Sequence, residues 1–172
     1  MNLFRFDAPD FEIPDLVLKY AEPSKVLKMA DPSLVPLIEK MMETMKDYDE
    51  RDIVIDYKVR SLNEGDPGSG IYGYHLDCTD DPHDTFEPET HLIYSTVIGT
   101  SFVVNPINTL GYSTVKNVLD NEVLIETIGG TETVHKYTSK VLHSCPIMNH
   151  DCQRILIRVT AGFKDRIKHN KR

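Results

Sequence analysis

The chain has 172 residues, enough for one ordinary domain with a single sizeable core. Nineteen basic against 27 acidic residues give a net charge of −8, which weighs against long duplex nucleic acid as a partner. The three cysteines, Cys78, Cys145 and Cys152, are odd in number and come without a secretory-type leader or a membrane-length apolar run. Free thiols, no membrane and a reducing, cytoplasmic setting are therefore expected.

In chain order, residues 1–30 are interrupted by Pro9, Pro14 and Pro23 and read as an extended arm with at most a short helical turn. A helix is predicted from Ser33 to about Tyr48. Leu34, Ile38, Met41, Met42 and Met45 recur at helical spacing, and Ser33 is the expected N-cap. The methionines read as core filler. The texture then changes to strands: 53–60, 71–77, 91–98, 100–104, 123–128, 133–142 and 154–160, rich in β-branched residues and divided by Gly-, Pro- and Asp-containing turns. The pattern predicts a mainly β fold, a jelly roll with the N-terminal helix packed outside it. The expected organisation is one domain over 1–172: arm and helix to residue 50, core over 51–163, and a basic tail over 164–172 with Lys164, Arg166, Lys168, Lys171 and Arg172.

His75-Leu76-Asp77 is the densest chemical signal. Strand side chains alternate, so residues two apart share a face, and an imidazole and a carboxylate there offer two ligands to a transition metal. A second imidazole from a distant strand, His143, would complete a two-histidine, one-carboxylate set that leaves open positions on iron(II). Arg154 and Arg158, four apart on the last strand, share a face and offer a bidentate partner for a carboxylate.

Taken together, Tyr74-His75-Leu76-Asp77, Leu142-His143-Ser144-Cys145-Pro146 and Gln153-Arg154-Ile155-Leu156-Ile157-Arg158 resemble the iron(II)- and 2-oxoglutarate-dependent oxygenases, whose core is a double-stranded β-helix of the cupin type. The resemblance spans about residues 53–163. It implies His75, Asp77 and His143 as iron ligands, and dioxygen and 2-oxoglutarate as co-substrates. It further implies Arg154, eleven residues past His143, at the distal carboxylate of 2-oxoglutarate, with Arg158 second. The implied reaction is hydroxylation of an unactivated C–H bond, with succinate as co-product. In that family the strand before the motif often lends a polar side chain to the keto acid. Here Tyr57, Lys58 and Arg60 all qualify, and the sequence does not choose among them.

Other readings compete. His143, Cys145, His150 and Cys152 could gather a structural zinc ion, and they claim the same histidine. His135, an even offset from His143, is an alternative third ligand. The acidic loop 77–84 lacks the alternating carboxylates and glycine of a calcium loop. A cupin-like module that binds without turnover fits the same residues.

Overall fold

The structure is a computed structural model, describing residues 1–69, 73–77, 79–84 and 87–162. The basic tail 164–172, Cys78 and the first residues of the predicted 71–77 strand lie outside the described residues. No helix among the described residues is long and apolar enough to cross a membrane.

Nine strands are formed among the described residues: β1 (Asn2–Arg5), β2 (Leu16–Ala21), β3 (Ile53–Leu62), β4 (Thr90–Ser95), β5 (Thr100–Val103), β6 (Glu126–Gly129), β7 (Thr133–Thr138), β8 (His143–Ser144) and β9 (Cys152–Ala161). The helices are α1 (Pro23–Met29), α2 (Val35–Thr44) and α3 (Val115–Asn121). Six strands make one antiparallel sheet in the order β1-β7-β4-β9-β3-β2, and three make a second in the order β6-β5-β8. An antiparallel bridge between His75 and His143 extends the smaller sheet beyond β8. From β3 onward the chain visits the large sheet, the His75 segment, the large sheet at β4, the small sheet at β5 and β6, the large at β7, the small at β8, and the large at β9. Adjacent strands are therefore mostly not consecutive, which is the strand order of a jelly roll. The fold is mainly β, as the sequence predicts.

The faces of β3, β4 and β9 carry different chemistry. Ile55, Tyr57, Val59, Leu92, Tyr94, Ile155, Ile157 and Val159 point outward and bury against Leu37, Ile38, Met41 and Met45 of the helical layer. The methionine stripe is thus core. Alternation puts Asp56, Lys58, His91, Ile93, Leu156 and Arg158 on the opposite face, toward the small sheet, where a minor apolar cluster of Ile93, Phe102, Tyr137 and Leu156 forms.

Several elements differ from expectation. The arm is more ordered than predicted: β1 covers one edge of the large sheet beside β7, and β2 covers the other beside β3. The helix starts later than predicted. Pro32–Leu34 is a 3-10 turn capped by Asp31, whose carboxylate accepts from the Ser33 N–H at 3.0 Å, so Asp31 rather than Ser33 caps it. Helix α2 stops at Thr44, where Met45 N–H donates to the Met42 carbonyl at 3.0 Å and tightens the last turn. The predicted 91–98 strand ends at Ser95. Val97 adopts a left-handed backbone (φ 71) and turns the chain into the small sheet. Helix α3 was not expected. Thr114 caps it by accepting from the Asn117 N–H at 3.2 Å.

Candidate metal centre

His75 and Asp77 lie on a short segment between β3 and β4, and His143 opens β8. The backbone bridge between the two histidines brings their rings to a centroid separation of 4.4 Å. Asp77 Oδ1 stands 3.3 Å from His143 Nε2 and 4.0 Å from His75 Nε2. Among the described residues, His75, Asp77 and His143 are the only three or more His, Cys, Asp or Glu whose ligand atoms all fall within 4.8 Å of one another. Atoms bound about 2.1 Å from one ion stand roughly 3–4 Å apart, so the three fit a shared metal.

The donor chemistry fits as well. His75 Nδ1–H donates to the Gly73 carbonyl at 2.9 Å, and His143 Nδ1–H donates to the Val141 carbonyl at 2.8 Å. Each bond fixes the tautomer that leaves Nε2 a lone pair toward Asp77. Burial pushes the His75 pKa down, outweighing its bond to Gly73 and keeping the ring neutral. Burial opposes ionisation of Asp77, but the polar and cationic groups around it, the Arg158 guanidinium among them, hold it well below the usual carboxylate range. Neutral imidazoles and an ionised carboxylate are the forms a divalent metal takes.

The three ligand candidates line a cavity of about 220 Å³ between the sheets, together with Lys58, Tyr137 and Arg158. Arg158 donates to Asp56 Oδ2 from Nε at 3.2 Å and from Nη2 at 3.0 Å, and its Nη1 lies 3.8 Å from Asp77 Oδ2. Burial lowers the Arg158 pKa, but Tyr137, Asp56 and Asp77 together carry it well above its usual value. Tyr57, Lys58 and Arg60 are now separated. Tyr57 faces the helices and accepts from the Asp31 N–H at 3.0 Å, Arg60 does not line the cavity, and Lys58 does. Burial lowers the Lys58 pKa, and no hydrogen bond or ion pair engages its ammonium among the described residues.

Arg154 is placed elsewhere. It is 2% exposed, and its guanidinium donates from Nη1 to the Gly68 carbonyl at 2.9 Å and from Nη2 to the Ile98 carbonyl at 2.9 Å. It is not among the cavity's lining residues, which include Ser69 and Cys145 on that side. Burial pulls its pKa down to about 10. The turn at Val97 presents the Ile98 carbonyl, and Gly68 leaves the room: a Cβ there would come within 2.8 Å of Arg154 Nη1.

The zinc alternative is corrected by geometry. His150 is exposed, with Nδ1 against Asn149 Oδ1. Cys152 Sγ lies 3.6 Å from Met148 Sδ, and Cys145 Sγ lies 3.8 Å from the Ser69 carbonyl. The 146–151 turn carries His150 outward while His143 points into the cavity, so the four do not converge. His135 is not a third ligand either. Its Nε2 accepts from the Met1 ammonium at 3.0 Å, its Nδ1 meets Asn2 Oδ1 at 2.8 Å, and its ring stacks on Phe102.

One residue given no role by the sequence reading sits in the centre. His91 on β4 is 3% exposed and places Nε2 3.1 Å from Asp77 Oδ2. Its only sequence signal is a histidine at an inward position of an apolar strand, beside Ile93.

No protein-family model matches the chain, and no curated protein matches it. Among solved structures it is similar to EvdO2 from Micromonospora carbonacea var. aurantiaca in a complex with 2-oxoglutarate. The TM-score is 0.45 and the identity 12%, over 92% of this chain and 76% of that one. It is also similar to AviO1 from Streptomyces viridochromogenes Tue57, with a TM-score of 0.45 and 10% identity over 94% of this chain and 73% of that one.

Proposed function

We propose that the chain is an iron(II)- and 2-oxoglutarate-dependent oxygenase that hydroxylates a substrate C–H bond. The observation that carries the reading is the convergence of His75, Asp77 and His143 inside the cavity of a jelly roll, on the face that also holds Lys58 and Arg158. His75, Asp77 and His143 would hold the iron, a donor set that suits iron(II) and leaves positions for other ligands. Iron with 2-oxoglutarate and dioxygen supplies the oxidising chemistry, in which the keto acid loses carbon dioxide to become succinate and one oxygen atom enters the substrate.

The chain's own residues do the rest. The Nδ1–H bonds of His75 and His143 hold both rings in the ligating tautomer. Ile93, Tyr137 and Leu156 give the cavity apolar walls that limit water around the ligand atoms. A dicarboxylate needs a cation at its far end, and the sequence reading assigns Arg154, with Arg158 second. The cavity wall favours Arg158 and Lys58. Arg158 is committed to Asp56 by an ion pair, whereas Lys58, though within the field of Asp56, forms no ion pair among the described residues. Arg154 serves a co-substrate only by giving up its carbonyl partners.

The test is succinate release on adding iron(II) and 2-oxoglutarate, with zinc(II) as control. Release dependent on iron, abolished in folded His75→Ala, supports the proposal. Tight binding of both without succinate, even across candidate substrates, makes the chain a binding module. Lys58→Met should raise the KM for 2-oxoglutarate about 10- to 100-fold, the cost of one charge-assisted contact, with little change in folding.

A further inference from the structure

The two oxygens of Asp77 have different surroundings. Oδ1 faces His143 Nε2 and His75 Nε2, at 3.3 and 4.0 Å. Oδ2 faces His91 Nε2 at 3.1 Å and Arg158 Nη1 at 3.8 Å. The histidines beside Oδ1 belong to the small sheet and its extension, while His91 and Arg158 belong to the large sheet. Asp77 therefore bridges the two sheets. Among the described residues, the pairings of its own segment are isolated bridges, at His75 and Leu76. A carboxylate on such a segment must be oriented by contacts from outside it.

From this arrangement we infer that Asp77 ligates the metal through Oδ1 alone, and that His91 is the positioning residue that reserves Oδ2. The inference rests on the proposed metal centre and is independent of which co-substrate that centre uses. His91 is itself fixed. Its Nδ1 lies 2.8 Å from the Thr160 hydroxyl on β9, and its ring packs on Tyr137 at 4.7 Å between centroids. A hydroxyl can donate to Nδ1, which leaves the proton on Nε2, 3.1 Å from a carboxylate oxygen that can only accept, a contact close enough for a hydrogen bond but not aligned as one in this structure. Thr160, His91 and Asp77 thus form a line running from the large sheet to the metal. Ligating carboxylates held from behind in this way bind more tightly, and loss of the supporting partner typically costs 10- to 100-fold in metal affinity. Without His91, Asp77 can rotate to offer both oxygens or neither.

Cobalt(II) is the probe, because it binds iron(II) sites and its visible spectrum reports ligand number and geometry. The wild-type protein, His91→Phe, His91→Gln and Thr160→Val are titrated with cobalt(II) alone, with circular dichroism to confirm folding. His91→Phe, which keeps the ring and removes the donor, should weaken cobalt binding about 10- to 100-fold and alter the visible bands. His91→Gln, whose amide N–H can reach Oδ2, should restore most of the affinity and the wild-type spectrum. Thr160→Val should fall between, and it carries the test with His91→Gln if His91→Phe does not fold. Cobalt affinity within twofold of wild type and superimposable spectra in the folded variants would overturn the role of His91 while leaving the metal centre standing. Failure of the wild-type protein to bind cobalt would overturn the metal centre, and this inference with it. Normal cobalt binding with no iron-dependent succinate counts against the oxygenase alone.

Discussion

Arg154 and Arg158 stand four residues apart on one face of β9, and both guanidiniums are largely buried, yet they are held in opposite ways. Arg158 meets carboxylates, Asp56 at 3.0 Å and Asp77 at 3.8 Å, and lines the cavity. Among the described residues Arg154 bonds to carbonyls, those of Gly68 and Ile98, and does not line the cavity. The strand repeat determines which face a side chain occupies. The loops that close over each end of that face determine whether it reaches the site. At the Arg158 end β2 and the Asp77 segment meet a cavity, and at the Arg154 end the 63–69 turn and the Val97 turn pack down and fill the space.

Substitution breaks this comparison in graded steps. Arg158→Ala should have the largest effect, because it leaves the buried Asp56 without its cation. A loss of about 3–5 kcal/mol in chemical denaturation is expected, with metal binding impaired as well. Arg154→Ala should cost less, about 2–4 kcal/mol, from two carbonyls left without donors and the space the side chain vacates. Its metal affinity should match that of the wild type, and a changed KM for 2-oxoglutarate would instead return Arg154 to the co-substrate.

The smallest expected effect concerns His135, which contrasts with the histidines of the cavity. Burial, with the Met1 ammonium adding to it, lowers its pKa to about 4 from the usual 6.5. A depressed folded pKa means that the unfolded chain takes up the proton first. The contribution is therefore fully present above pH 6.5 and lost as pH falls toward 4. His135→Asn should flatten that part of the stability–pH curve, measured by urea denaturation between pH 4 and 7. An unchanged slope would remove His135 as the cause.

What the sequence made legible followed local periodicity. The alternation in β3 and β9 and the methionine stripe of α2 survive as read, because each depends on neighbours two to four residues apart, whereas residues 73–77 form isolated bridges and a turn in place of the predicted strand, and His75 and Asp77 meet there without strand alternation. The positions of Arg154, His150 and His91 were not legible, because they depend on turns. A left-handed Val97, a glycine at 68 and the outward 146–151 turn decide which same-face residues meet. His91 in particular acts on a residue fourteen positions away through a sheet-to-sheet contact that no local pattern encodes.

The most direct measurement of the central claim is anaerobic iron(II) binding by equilibrium dialysis, comparing the wild-type protein with folded Asp77→Ala. One iron per wild-type chain, with none retained by the variant, is the predicted result. Equal iron in both, or none in the wild type, would contradict a centre built from His75, Asp77 and His143.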